Sequence, residues 1–417
     1  MSKKLIGSAI FAQSGGPTAV INASAYGVIK TALETEGIDH VYGAANGILG
    51  ILNNKLYDMR AEDPAELALL MNTPSSELGS CRYKLKSADE DDTDYRKILE
   101  QFRRLEIRYF FYNGGNDSMD TCNKISDYLQ REGYECRVIG IPKTIDNDLC
   151  GTDHSPGFGS AARYIATSVA EIYKDNNVYN TGSVTIVETM GRHAGWLAGA
   201  AALAEVAGCA PDLVYLPELA FDMERFVEDV RSVYEAKGKC LAVVSEGIAY
   251  ADGGFVSEAK TSATDGFNHA QLGGTAAVLS SVIKARLGAK VRGIELSLLQ
   301  RCGAHLASKI DLDEAFGVGE FAVQQAVAGA SGNMISIRRT EKDGVYASEF
   351  ALEPIDIAAN NEQTVPREWI NEAGNYVTRE FFDYALPLIA GEPERVFENG
   401  LPRFARLKKV SVWDSGR

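Results

Sequence analysis

The sequence predicts an α/β protein built on parallel sheet, and three observations carry that prediction. Several β-rich runs of roughly 5 to 8 residues are apolar almost without interruption rather than alternating. Each ends in a glycine or polar turn, and most are followed by an amphipathic segment of helical period. Strands apolar on both sides need cover on both faces, which helices between consecutive parallel strands supply. The 417 residues call for two or three domains at about 150 residues each.

In chain order the expected strands are 5–11, 108–112, 138–141, 183–187, 213–216 and 241–244. Pro17, after Gly15-Gly16, suits a first helical position, where its missing N–H costs nothing. Asp117-Ser118 can cap a helix running towards Gln130, and Gly195-Trp196 opens an alanine-rich helix to Glu205. Lys342-Asp343-Gly344 joins 333–339 to 345–350 as a β-hairpin. Residues 378–386 read as a helix with aromatic side chains on its buried face.

Composition excludes several classes. Apolar residues at 45% and charged residues at 24% describe an ordinary globular chain. With Lys plus Arg at 42 against Asp plus Glu at 57, the formal charge is -15, which repels polyanions and argues against nucleic acid and anionic membrane as partners. A phosphorylated ligand must therefore meet a local cluster of positive charge or backbone N–H groups. The seven cysteines, at 81, 122, 136, 150, 209, 240 and 302, show no Cys-x-x-Cys pair and no zinc spacing. They read as reduced thiols. The apolar run before Gln13 is too short for a signal peptide, and 196–204 falls short of the roughly 20 residues a span needs. A soluble, cytoplasmic protein is expected.

The polar motifs fall at the carboxyl ends of the expected strands, the edge where open α/β sheets bind ligands. Gln13-Ser14-Gly15-Gly16-Pro17-Thr18 is either a plain tight turn or a phosphate loop whose glycines admit a ligand to the backbone. Asn113-Gly114-Gly115-Asn116-Asp117-Ser118 adds a carboxylate that is either a helix cap or a magnesium ligand. In Lys143-Thr144-Ile145-Asp146-Asn147-Asp148 an extended backbone would project Asp146 and Asp148 to one side, giving a base, a metal contact and a counter-charge; the alternative is a solvated Asx-rich turn. Glu188-Thr189-Met190-Gly191-Arg192-His193 brings an arginine suited to phosphate, with His193 read as a structural histidine. Ser245-Glu246-Gly247 offers a carboxylate to sugar hydroxyls, and Arg292 and Gln300-Arg301 add cations. Arg82, Lys84 and Lys86 form a further basic run, of the kind that is usually a solvated face.

Taken in order, Ser-Gly-Gly, Gly-Gly-Asn-Asp, Thr-Ile-Asp-Asn-Asp, Met-Gly-Arg, Glu-Gly and Gln-Arg resemble the phosphofructokinase family, from about residue 5 to about residue 310. Lys143, where ATP enzymes carry glycine, and Asp117 resemble its pyrophosphate-dependent branch. The resemblance implies that Asp117 excludes the ATP α-phosphate and that Lys143 neutralises pyrophosphate in the transition state. It implies Asp146 as the base for the C1 hydroxyl of fructose 6-phosphate, with Thr144 and Asp148 positioning the substrate. Gly15 and Arg82 would touch pyrophosphate; Met190, Gly191, Arg192, Glu246 and Arg301 would hold the sugar phosphate. Arg292 would reach in from a neighbouring subunit, implying a homodimer or homotetramer. Mg²⁺ is the implied cofactor, with Asn116, Asp117 and Asp148 as its ligands, although many relatives have Asp where Asn116 stands. Leu298 and Ser183 also depart from the family, replacing a His or Tyr and an arginine respectively.

The resulting expectation is two doubly wound, mostly parallel-sheet, Rossmann-like domains with the active site in the cleft between them, plus a C-terminal extension. Residues 1–157 with about 300–335 form the phosphoryl-donor unit, 158–299 the sugar-phosphate unit, and 336–417 a hairpin and helices packed on the latter. Reversible phosphoryl transfer from pyrophosphate to fructose 6-phosphate is the expected reaction. An ATP-dependent 6-phosphofructokinase and a non-catalytic sugar-phosphate sensor are the alternatives. A dinucleotide oxidoreductase fits less well, since Gly-x-Gly-x-x-Gly is missing.

Overall fold

The computed structural model describes residues 5–257, 274–359 and 361–413. The strands of the two main sheets are β1 (Gly7–Gln13), β2 (Ile38–Ala44), β3 (Leu56–Asp58), β4 (Ile107–Gly114), β5 (Arg137–Pro142), β6 (Ser183–Thr189), β7 (Leu213–Tyr215), β8 (Lys239–Ser245), β9 (Val291–Glu295), β10 (Asn333–Lys342) and β11 (Val345–Pro354). They make a seven-stranded sheet in the order β11-β10-β5-β4-β1-β2-β3 and a four-stranded sheet in the order β7-β8-β6-β9. The second sheet is parallel throughout. The first is parallel except at its edges, where β3 and β11 run antiparallel to their neighbours.

Both sheets are covered on both faces, as the unbroken apolar strands require. On β4, Phe110 and Tyr112 enter one core with Ile10, Phe102 and Val138, while Tyr109 and Phe111 enter the opposite one with Val28, Ile139 and Val318. The second sheet divides likewise, Val187, Leu241 and Val243 packing with Trp196 while Val184, Ile186 and Val244 pack with Phe226 and Leu279. Register then aligns the ligand edge. Gln13 of β1 stands beside Asn113 of β4, which stands beside Ile141 of β5, so three of the polar loops leave the sheet side by side. In the second sheet Thr189 stands beside Ser245, and Glu188 beside Glu295.

Several local expectations change. Pro17 precedes the helix Ile21–Glu34 rather than opening it, because Thr18 Oγ1 accepts from Val20 N at 3.2 Å and holds an extra turn between them. The next helix begins at Asn116 with Gly115 as its N-cap and no side-chain cap. Asp117 therefore sits in the first turn, where the helix dipole favours a carboxylate. The alanine-rich run is a short helix, Trp196–Ala200, that tightens into a 3₁₀ helix, Ala201–Ala207, before Gly208. The segment Lys143 to Asp148 is not extended: Asn147 has φ 56 and reverses the chain. Strands β2, β3 and β9 join those expected.

The C-terminal region needs a larger correction. The hairpin turns through Asp343 and Gly344, both at positive φ as a two-residue turn demands. It extends the first sheet rather than covering the second, for Asn333 and Met334 of β10 pair in parallel with Ile139 and Gly140 of β5. Its inward Ile335 and Ile337 fill the first sheet's core. The helix Arg379–Ala385 does pack on the second half, where Phe381 stacks on Trp196. The chain then returns to the first half, with Ala405 N donating to Thr73 Oγ1 at 2.9 Å and Lys409 paired with Glu77. Among the described residues no helix is long and apolar enough to cross a membrane.

Helix Ile21–Glu34 meets helix Lys309–Ala328 with almost no separation: a Cβ on Gly27 would lie 2.2 Å from Phe316 O. Gly27→Val is expected to lower unfolding stability by about 1–3 kcal/mol through overpacking, read by denaturant titration. An unchanged midpoint would contradict the close approach.

Candidate active site

The loops of the two sheets enclose a cavity of about 680 Å³. It gathers Gly15, Arg82, Asn116, Asp117, Lys143, Thr144, Asp146, Asp148, Met190, Arg192, Glu246 and Arg301, which lie as much as 286 positions apart in the chain (301 − 15). Gly191 lies behind the lining, where its carbonyl accepts from Ser245 Oγ. Arg292 is not in this cleft. It projects from β9, pairs with Asp175 at 3.4 Å and lines a separate cavity with Glu171 and Thr185.

The first wall is built around a buried cation. Lys143 follows β5, is only 3% exposed and donates from Nζ to Gly16 O at 2.6 Å. Gly15 N donates to Cys81 O at 3.0 Å, and Gly15 O accepts from Ser80 Oγ at 2.6 Å, fastening the glycine loop to the strand of residues that carries Arg82. Here glycine is needed: Gly15 has φ +75, and a Cβ would lie 3.3 Å from Lys143 Nζ, while one on Gly16 would lie 3.2 Å from Arg301 Nη1. Asp117, on the first helical turn, pairs with Lys84 at 3.5 Å. Lys84, exposed as a basic run is expected to be, thus also lines the cleft.

Asp146 and Asp148 reach the same cavity although their backbone is turned. Asp146 N donates to Thr144 Oγ1 at 3.0 Å, and the left-handed Asn147 places the second carboxylate next to Asn116, whose Nδ2 donates to Asp148 Oδ2 at 3.3 Å. Asn116 Oδ1 and Asp148 Oδ1 are buried with no hydrogen-bond partner among the described residues. Two orphaned oxygen donors side by side fit a hard divalent cation.

The opposite wall comes from the second sheet. Met190 N donates to Gln300 Oε1 at 3.0 Å, tying the loop after β6 to the short helix Leu299–Cys302 that presents Arg301. Glu246 N donates to Thr189 O at 2.8 Å, and any Cβ on Gly247 would collide with Arg192 O. His193 is exposed on the rim and faces Glu362, 3.0 Å from Nδ1. Asn361 and Glu362 also line the cavity. No motif marks them; Gln363 N donates to Asp148 O at 2.7 Å and seats them there.

The charges perturb one another. Burial, then Asp148 and Glu246, raise the Asp146 carboxyl to about 7 against the pull of Lys143 and Arg192. Burial raises Asp148 and Glu246 as well. Burial lowers the Lys143 ammonium to about 8, with Arg82 and Arg301 adding to the effect and Asp146 and Asp148 opposing it. The hydrogen bond to Glu362 raises His193. A carboxyl and an ammonium with converging pKa values thus line one cavity with three arginines.

A doubly wound pair of sheets with glycine loops, three arginines and a buried lysine at one cleft defines a protein that handles phosphorylated small molecules. The chain belongs to the phosphofructokinase family, whose model, Phosphofructokinase, matches residues 8–324. It is 46% identical over 409 residues to the pyrophosphate–fructose 6-phosphate 1-phosphotransferase of Halomonas elongata, covering 97% of each chain. Among solved structures it resembles the pyrophosphate-dependent phosphofructokinase of Nitrosospira multiformis, with TM-score 0.89 and 39% identity over 98% of both chains. The pyrophosphate-dependent phosphofructokinase of Marinobacter aquaeolei gives TM-score 0.87 and 40% identity, covering 98% of this chain and 97% of that one.

Carbon-detected NMR of the aspartate carboxyls should find Asp146 titrating near about 7. Because the Lys143 charge holds that value down, Lys143→Met should move the midpoint upward. An Asp146 midpoint in the ordinary range near about 3.9, or one that Lys143→Met leaves in place, would contradict these electrostatics.

Proposed function

We propose that this chain transfers a phosphoryl group from pyrophosphate to the C1 hydroxyl of fructose 6-phosphate, giving fructose 1,6-bisphosphate and phosphate, and that the reaction runs in both directions. The observation that carries this reading is Lys143, a buried ammonium between the glycine loop and the two aspartates. Pyrophosphate brings dense negative charge without a nucleoside, and a cation at the floor of the cleft suits it.

In this reading Asp146 accepts the proton of the C1 hydroxyl as that oxygen attacks phosphorus, and a carboxyl raised to about 7 is matched to the task. Lys143 and Arg82 hold the donor over the Gly15 backbone and meet the charge that moves onto the leaving phosphate. Thr144 and Asp148 orient the acceptor, while Met190, Gly191, Arg192, Glu246 and Arg301 hold its sugar and phosphate. Asp117 blocks the place of a nucleotide α-phosphate, and Lys84 balances its charge. Asn116 and Asp148 would hold Mg²⁺ through their orphaned oxygens, with Asp117 beside Asn116 on the same first helical turn. The ion, when bound, neutralises pyrophosphate oxygens. Arg292, remote from its own cleft, would complete that of a second copy, making the active unit at least a dimer.

The test is a coupled assay of fructose 1,6-bisphosphate formation with pyrophosphate and ATP run in parallel at equal concentration, repeated with Asp146→Asn. Turnover with pyrophosphate alone is expected, falling by about 10²–10⁴ in Asp146→Asn. Preference for ATP would refute the roles of Asp117 and Lys143. Silence with both donors would refute the reaction.

A further inference from the structure

The two carboxylates of the reactive loop are separated by Asn147, which has no part in the chemistry above. Its backbone is left-handed, φ 56, a conformation that a non-glycine residue keeps only where its surroundings fix it. The side chain, 1% exposed, supplies the fixing. Its Oδ1 accepts from Ser155 N at 2.9 Å, so its Nδ2 is the group that faces Tyr384 Oη, at 2.7 Å. A backbone N–H can only donate, and this settles which end of the amide points where. The tyrosine hydroxyl must then accept from Asn147 and spend its own hydrogen on Asp153 O, 2.8 Å away.

Tyr384 belongs to the C-terminal helix Arg379–Ala385, far from any loop motif. Its ring is wedged between Trp196 and Trp369, with centroids at 5.1 and 5.3 Å, and Arg339 lies over it while donating to Tyr384 O at 3.0 Å. The hydroxyl therefore has one place to be. We infer that Tyr384 is a positioning residue, whose hydroxyl acts through Asn147 to hold the turn that aims Asp146 and Asp148 into the cleft. Removing the hydroxyl leaves the Asn147 amide and Asp153 carbonyl without their partner and frees the turn. A displacement of about 1 Å at reacting groups can cost about 10²-fold in rate, whereas substrate contacts on the other loops are untouched.

The inference rests on the phosphoryl transfer proposed above, so the parent chain is assayed first. Tyr384→Phe keeps the ring and its packing, and Asn147→Gly keeps the left-handed backbone while deleting the amide. Turnover with pyrophosphate is measured for both variants and their combination, below the melting temperature of each. Tyr384→Phe should lower kcat at least about tenfold with KM for both substrates within about twofold of the parent. Adding it to Asn147→Gly should cost no more than about a further twofold, since both act at one contact. An active parent with Tyr384→Phe within twofold of it in kcat, a loss carried by rising KM for both substrates, or losses that multiply in the double variant would each overturn the positioning role alone. An inactive parent would overturn the functional reading with it.

Discussion

A lysine ammonium held at 3% exposure is the constraint on which the cleft depends. An unpaired buried charge is costly enough that a protein keeps one only beside counter-charges and hydrogen-bond acceptors. Lys143 has both: Gly16 O accepts its proton, and Asp146 and Asp148 supply opposing charge. The same lysine thus forces the glycine loop after β1 and the aspartate loop after β5 to lie against each other. The register Gln13–Asn113–Ile141 across three strands makes that approach possible. The glycines follow from the approach, since a side chain at Gly15 or Gly16 would press on the cations.

The second constraint is that the reactive loop is anchored by chain that lies after residue 330. Asn147 is held by Tyr384, Asp148 O accepts from Gln363 N, and Asp153 is paired with Arg339 of β10 at 3.0 Å. Beneath it, buried His154 bridges Asp153 and Glu314; although burial opposes its charge, Glu314 and Asp153 raise it to about 9. The region after 330 therefore spans both sheets: a hairpin on the first, an aromatic helix on the second and a tail that returns to the first. It links the halves whose loops form the cleft.

Much of this was legible in the sequence because the informative residues are local. The buried strands announce themselves as apolar runs, and glycine pairs with Asp or Lys at strand ends mark the ligand edge. Strands β2 and β9 escape for a physical reason: β2 opens Ile-Asp-His, and β9 is a largely exposed edge, so neither carries an unbroken apolar run. The hairpin was recognisable from Asp343-Gly344, yet its sheet was not, because pairing with β5 depends on residues nearly 200 positions away (333 − 139 = 194). Asn361, Glu362 and Tyr384 gave no signal at all. Tyr384 meets Asn147 across 237 positions, and an aromatic stripe on a short helix reads as core whatever its hydroxyl touches. Arg292 was visible as a cation, and only the family resemblance, not its local sequence, set it apart from its own cleft.

The measurement that bears most directly on the account is the pyrophosphate-dependent kcat of Lys143→Met, a substitution that keeps length and removes charge. Loss of a preorganised charged donor predicts a fall of about 10²–10³ in a chain that still folds cooperatively. A variant that turns over pyrophosphate within about threefold of the parent would contradict the central role given to the buried lysine.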